Sequence, residues 1–230
     1  MRTAAPEPTS RPPSREVTHA EALAWMAAHP APPFASVITS LPDVSELSAL
    51  TLDAWRAWFD AAARAVIRWV PEEGVAVFYQ SDIRRGGAWI DKGYLVMRAA
   101  EAEGAAVLFH KIVCRRPPGT VAPGRPSYSH MIAVTRGATR PAARPGPDVL
   151  ADAGAMRWSR AMGEAACRVA CRYLRDETET RVVVDPFCGR GTVLAVANAM
   201  GFDAVGVDLG ARRCRAARAM RVEDLDAPAG

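Results

Sequence analysis

The sequence predicts an α/β fold, a mainly parallel sheet with helices on both faces in a single domain. Two observations carry the prediction. Strand-length runs rich in Val, Ile and Phe alternate with helix-length runs whose apolar residues recur at helical spacing. Toward the C-terminus, strand-like "RVVVD" passes through a Gly-rich turn into a helical run and then into a second strand-like run, "DAVGVD". With 230 residues, 50% of them hydrophobic and no residue type in excess, the chain can bury a core of its own.

Residues 1–15 are rich in Pro and Ser and lack periodicity, so they are expected to be a disordered tail; the folded domain spans 16–222 and a second tail 223–230. "REVTHAEALAWMAAHP" reads as a short strand running into an amphipathic helix, and "FASVITS" as the next strand. The helix "TLDAWRAWFDAAARAVIRWV" has Thr51 as N-cap and Pro71 as its stop. Its stripe of Leu52, Trp55, Trp58, Phe59, Ala62 and Val66 assigns both tryptophans to the core. "GVAVFYQS", "AVLFHKIVCR" and "SYSHMIAVTR" are three further strands, divided by a helical stretch and by a Pro/Gly-rich loop over 117–126. "SDIRRGGAWIDKG" reads either as a hairpin turning at Gly86-Gly87 or as a substrate-recognition loop. His110 and His130 sit singly in apolar runs and are read as satisfied core histidines. Helix "MRWSRAMGEAACRVACRYLR", strand "RVVVD", helix "TVLAVANAM", strand "DAVGVD" and helix "ARRCRAARAM" close the chain.

The chemistry concentrates in that last section. "RVVVDPFCGRGT" delivers Asp185 to the carboxyl end of a strand, where open α/β sheets bind ligands. Gly189 and Gly191 let backbone approach a ligand closely, and Thr192 is placed to cap the next helix, whose N-terminus favours an anionic group such as a carboxylate. Asp208 ends the following strand 23 residues later, placed to accept two hydrogen bonds from a ribose diol. Strand, turn, helix, strand and terminal acid together point to a nucleoside-containing cofactor.

Charge is mildly basic, net +4 with a pI near 9.0, but unevenly spread. Between Gly104 and Pro147 there is no acid, while Lys111, Arg115, Arg116, Arg125, Arg136, Arg140 and Arg144 are all basic. Such a segment suits a polyanion, or else is a solvated arginine-rich surface. The five cysteines form no C-x-x-C pair, and Cys167 and Cys171, four apart in a helical pattern, lack the second ligand pair that a tetrahedral site needs. They are read as core thiols, and no metal site is expected. With no signal peptide or long apolar span, the expected home is a reducing cytoplasm, with no membrane partner.

The turn D-P-F-C-G-R-G-T is not the dinucleotide fingerprint G-x-G-x-x-G. It resembles the signature of the S-adenosylmethionine-dependent amino-methyltransferases, which modify exocyclic amines of cytosine or adenine. The resemblance spans most of 16–222 and implies a Rossmann-like methyltransferase domain of circularly permuted order. It implies a catalytic strand over 34–43, a basic substrate segment over 104–147 and a cofactor segment over 154–222. In that order Ser40-Leu41-Pro42-Asp43 stands where the family carries (Asp/Ser/Asn)-Pro-Pro-(Tyr/Phe/Trp). The resemblance implies that Asp185, Pro186, Phe187, Gly189, Gly191 and Thr192 hold the methionine end of the cofactor and Asp208 its ribose. More loosely, it places Glu21 near the adenine and Trp158 with Ser159 over the methionine moiety. Ser40 Oγ and the Leu41 carbonyl would then accept the two N–H groups of an acceptor amine, with Pro42 locking their turn.

Asp43 replaces the aromatic that stacks on the extruded base, and Leu41 replaces a proline. Another ring must then sandwich a flipped base, and Tyr79, Trp89 and Tyr94 are candidates, with Lys92 in the same stretch as a substrate contact. Arg115, Arg116 and Arg125 would hold phosphates. The chain lacks the long insert with which DNA-specific members read sequence, so RNA is expected over DNA. Two other readings fit the same residues: a methyltransferase for a small molecule or a protein side chain, and a silent module that keeps only the cofactor pocket.

Overall fold

The computed structural model describes residues 11–137, 146–156, 158 and 161–223. In chain order the elements are β1 (Arg15–His19), α1 (Ala22–Ala28), β2 (Ala35–Thr39), α2 (Leu52–Trp69), β3 (Ala76–Gln80), β4 (Ile83–Arg85), β5 (Ala88–Ile90), α3 (Lys92–Ala102), β6 (Ala106–Cys114), β7 (Tyr128–Thr135), β8 (Val149–Leu150), α4 (Glu164–Glu177), β9 (Val182–Asp185), α5 (Thr192–Ala199), β10 (Asp203–Asp208) and α6 (Ala211–Ala219). Eight strands form one sheet in the order β1-β10-β9-β2-β3-β7-β6-β8, and β4 with β5 makes a separate hairpin. From β1 to β3 every neighbour is parallel; β7 runs antiparallel to both β3 and β6. The sheet is thus mainly parallel, as the alternation of strands and helices requires.

Strand periodicity splits the core in two. Ile38, Val77 and Val183 face one way, into a cluster closed by Cys167 and Leu174 of α4, Leu194 of α5 and Cys214 of α6. Val37, Phe78 and Val184 face the other way, against Met26 of α1, Phe59 and Val66 of α2 and Val96 of α3. Helices therefore cover both faces, and the buried strands read as unbroken apolar runs. α2 begins at the predicted cap, Thr51 Oγ1 accepting from Ala54 N at 3.3 Å, and ends before Pro71. Trp55 is fully buried and Trp58 packs at the edge of the same cluster.

Three expectations are corrected. Residues 11–15 of the expected tail are held by Asp203: Arg11 pairs with it at 2.6 Å, Ser14 donates to it from N and Oγ, and Arg15 opens β1. The helix expected over 156–175 starts at Glu164, because the carbonyls of Ala155 and Ala153 take the first-turn N–H groups of Glu164 and Ala166. That approach needs Gly163, whose added Cβ would stand 2.1 Å from Ala153 O. Thr192 is not a cap: Gly191 takes that position at φ 90°, and Thr192 is the first helical residue. All five cysteines are free and buried, and burial raises the pKa of each of Cys167, Cys171, Cys188 and Cys214, in keeping with core thiols.

Candidate active site

β9 and β2 are parallel neighbours, yet the chain leaves them in opposite directions, through α5 to β10 and through α2 to β3. Such a switch point opens a crevice at the carboxyl ends of the strands. Both sequence motifs end there. Thr39, the last residue of β2, donates its hydroxyl to Asp185 Oδ1 on β9 at 2.7 Å, and Phe187 N donates to the same oxygen at 3.1 Å. Asp185 is buried, and burial pushes its carboxyl up to about 7 against the lowering effect of those two bonds. A cation bound beside it would restore its charge.

The glycine turn lies above this acid. Gly189 adopts φ 56°, and a Cβ built there meets nothing within 4 Å, so the space over the turn is open to a ligand. Gly191 is closed on its other side by Ala217, whose Cα would stand 2.7 Å from an added Cβ. Thr192 Oγ1 is buried without a hydrogen-bond partner, and Pro186 is buried beneath the turn. Phe187 meets Trp58 edge-on, with ring centroids 6.0 Å apart. Asp208 ties the turn to β10: its Oδ2 accepts from Gly189 N at 3.1 Å, and its Oδ1 from Gly210 N at 2.6 Å and Arg213 Nε at 2.7 Å. Oδ2 retains a lone pair for a hydroxyl, whereas a diol reaching Oδ1 meets Arg213 first. An open turn, an orphaned buried hydroxyl and two carboxylates with spare acceptor capacity fit a polar ligand with ammonium and diol groups.

Glu21 stands just past β1, beside the end of β10, but its carboxylate accepts from Ala24 N at 2.7 Å and so caps α1. Trp158 stacks under Arg190 of the glycine turn, 5.4 Å from guanidinium to ring, which brings it to the mouth of the crevice. Ser159 lies outside the described residues.

At the Ser40 turn opens a cleft of about 310 Å³. Ser40, Leu41 and Asp43 line it; Leu41 is buried, and the Pro42 carbonyl is held by Trp55 Nε1 at 3.2 Å. Asp43 Oδ1 accepts from Ser45 N and Oγ, which fixes the turn. Of the expected substrate contacts, Tyr79, Lys92, Arg115 and Arg125 also line the cleft. Tyr79 is buried, and burial raises its pKa against the lowering effect of Ser129 beside its hydroxyl. Burial lowers the pKa of Lys92 despite the attraction of Asp43, Glu46 and Asp82.

Other candidates stand elsewhere. Trp89 and Tyr94 are exposed, 52% and 55%, and neither lines the cleft. Arg116 is exposed on the strand end, away from the lining. Arg136 caps the C-terminus of α2 through the carbonyls of Ile67, Arg68 and Val70, and Lys111 binds the carbonyls of Gly146 and Pro147. The one-signed segment is therefore not one surface. Arg140 and Arg144 lie outside the described residues. Arg84 and Arg85, which sequence reasoning passed over, reach the cleft from the β4–β5 hairpin, whose Gly86-Gly87 turn has φ 56° and 81°. His130 is a buried histidine with both ring nitrogens partnered, but His110 is exposed, not core.

No protein-family model matches the sequence, and no curated protein sequence does. Solved structures do. The S-adenosyl-L-methionine complex of TTHA0409, described as a DNA modification methylase of Thermus thermophilus, superposes at TM-score 0.65 with 21% identity over 93% of this chain and 96% of that one. PvuII DNA methyltransferase, cytosine-N4-specific, gives 0.69 with 15% identity over 90% and 88%. The complex of M1.HpyAVI with the same cofactor gives 0.57 with 13% identity over 89% and 98%. At these identities the likeness speaks for architecture, and the chain has the α/β fold of these methyltransferases.

Proposed function

We propose that the protein is an S-adenosylmethionine-dependent N-methyltransferase whose acceptor is a nucleobase amino group in a nucleic acid. The observation that carries this reading is the Thr39–Asp185 hydrogen bond, which sets the Ser40 turn beside the glycine turn at the ends of adjacent parallel strands. Bound in the crevice, the cofactor supplies an electrophilic methyl group on a sulfonium sulfur. Asp185 holds the ammonium of its methionine end, Thr192 and the turn at Gly189 receive the carboxylate, and Asp208 takes the ribose. The permuted order belongs to the same reading, with β2 as catalytic strand ahead of β9 as cofactor strand.

Ser40 Oγ and the Leu41 carbonyl accept the two N–H groups of the acceptor amine and turn its lone pair toward the crevice. Asp43, on the same turn, takes the proton that leaves nitrogen once the methyl has arrived. Tyr79 supplies the aromatic face missing from position 43, and Arg84, Arg85, Arg115 and Arg125 meet phosphates around the opening. The neighbours' named substrate is DNA, and the expectation of RNA draws no support from them. A second reading, a small cationic acceptor, is favoured by the carboxylates of Asp43, Glu46 and Asp82 inside the cleft.

The test is transfer of radiolabelled methyl to unmodified DNA, RNA and protein in parallel, each digested to monomers. Label in one nucleoside supports the reading; cofactor binding with no label in any nucleic acid sinks it. Asp208→Ala is expected to remove cofactor binding, whereas Ser40→Ala keeps it and loses turnover. Equal loss of binding in both would overturn the assignment of the catalytic strand.

A further inference from the structure

One group of ligating side chains has no role in the nucleobase reading. His130 on β7, Asp82 just after β3 and Asp91 at the N-cap of α3 bring an imidazole nitrogen and two carboxylate oxygens within 4.8 Å of one another. His130 Nε2 lies 3.1 and 3.2 Å from the two oxygens of Asp82 and 3.7 Å from Asp91 Oδ1. We propose that His130, Asp82 and Asp91 form a binding site for one divalent transition-metal ion, zinc first among them.

The remaining contacts of each residue leave room for the ion. Asp82 Oδ1 accepts from Lys92 N and Asp91 Oδ1 from Tyr94 N, both at 2.8 Å, which uses one lone pair on each oxygen, and the Tyr128 side chain also hydrogen-bonds the Asp82 carboxylate. His130 Nδ1 faces His110 Nε2 at 2.9 Å, so the other ring nitrogen alone points at the acids. A proton on Nε2 serves Asp82 but not Asp91, which is beyond hydrogen-bond reach. An ion serves all three. Bonds of 2.0–2.2 Å in a tetrahedron put neighbouring ligand atoms about 3.3–3.6 Å apart; His130 Nε2 stands at 3.1 Å from Asp82 and 3.7 Å from Asp91, so small side-chain shifts would bring the donors to that spacing.

Two further features mark the site as built. A Cβ at Gly93 would stand 2.8 Å from His130 Cγ and 3.1 Å from Asp91 Oδ1, so only glycine lets the imidazole seat against the first turn of α3. His110 gives the ring the outer partner that metal-bound histidines carry; when its Nε2 accepts from His130 Nδ1, Nε2 of His130 is left to bind the ion in place of the proton it now shares with Asp82. One imidazole with two carboxylates suits zinc or manganese better than calcium or magnesium, which prefer oxygen throughout. The side chains of His130 and Asp82 are 7% and 8% exposed and that of Asp91 57%, so the ion would enter, and keep its water, on the Asp91 side. Asp82 also lines the cleft, and the ion would therefore brace the cleft wall against α3 and β7.

Calorimetric titration of the chelator-stripped full chain with zinc chloride tests this. One ion per chain is expected, with Kd below about 10 μM and a higher melting temperature when zinc is present. Asp91→Asn still caps α3, so its metal-free melting temperature should match the parent's while zinc affinity falls at least tenfold. His110→Gln, at an exposed position, should weaken zinc by roughly ten- to a hundredfold. No binding at about 100 μM zinc, or binding undiminished in both variants, overturns the site. None of these readouts depends on methyl transfer, so failure here and failure of the proposed activity are told apart.

Discussion

Asp185 is held in its crevice at the expense of the fold, and its replacement should show it. Its folded pKa, about 7, lies above the 3.8 of a free aspartate, so the native state binds the extra proton. Stability therefore falls as pH rises from about 4 to about 7, and the cost is fully present above that window. Asp185→Asn keeps an acceptor for Thr39 and Phe187 without the buried charge. It is expected to unfold at higher denaturant than the parent at pH 8 by a few kcal/mol, with no gain at pH 4, while losing the cofactor. Urea melts at the two pH values check it. Thr39→Val should cost about 1–3 kcal/mol at pH 8, because it strips a buried carboxylate of its donor. Asp185 and Asp208 were legible in the sequence because glycines and strand ends bracket them. Thr39 was not, since its bond joins residues 146 apart, and nothing local marks it.

At the scale of the element, charge in the sequence does not tell a phosphate contact from a helix cap. Arg136 belongs to the run of basic residues that suggested a polyanion, yet it ends α2 by binding three of its carbonyls. Arg136→Ala is expected to cost about 1–3 kcal/mol in a thermal melt and to leave nucleic-acid affinity alone. Arg125→Ala, at an exposed position on the cleft, should do the reverse, lowering the salt slope of binding by about 1. The late start of α4 has a similar source. Helical periodicity in "MRWSRAMGEAACRVACRYLR" was real, but it could not reveal that a passing backbone would take the first-turn N–H groups and make Gly163 the boundary. Gly86-Gly87 left a hairpin and a substrate-recognition loop both open; the segment is a hairpin, and that its two arginines face the cleft depends on how it docks.

For the whole molecule, sheet class and helix placement followed from the alternation of strands with helices, and the crevice from the rule that ligands gather where neighbouring strands send the chain opposite ways. The cleft is lined by side chains from the loop after β2, from β3, the hairpin, α3 and the loop after β6, which meet only in the folded chain. If four arginines around the opening meet phosphates, raising salt from 50 to 200 mM should weaken nucleic-acid binding roughly a hundredfold. A flat salt response in a filter-binding assay would favour the small acceptor.

β1 and β2 are consecutive in the chain but not in the sheet, where β10 and β9 lie between them. On the ribosome, the strands that fill this gap are the last to emerge. Until they arrive, β2, with all five of its residues destined for burial, presents an open apolar edge on the side where Val182–Val184 will pair. Folding of the first half must therefore wait for β9 and β10, a long-range closure that is slow and exposed to aggregation. A chain stopped after Glu179 is expected to pellet from a lysate that keeps the full chain in solution.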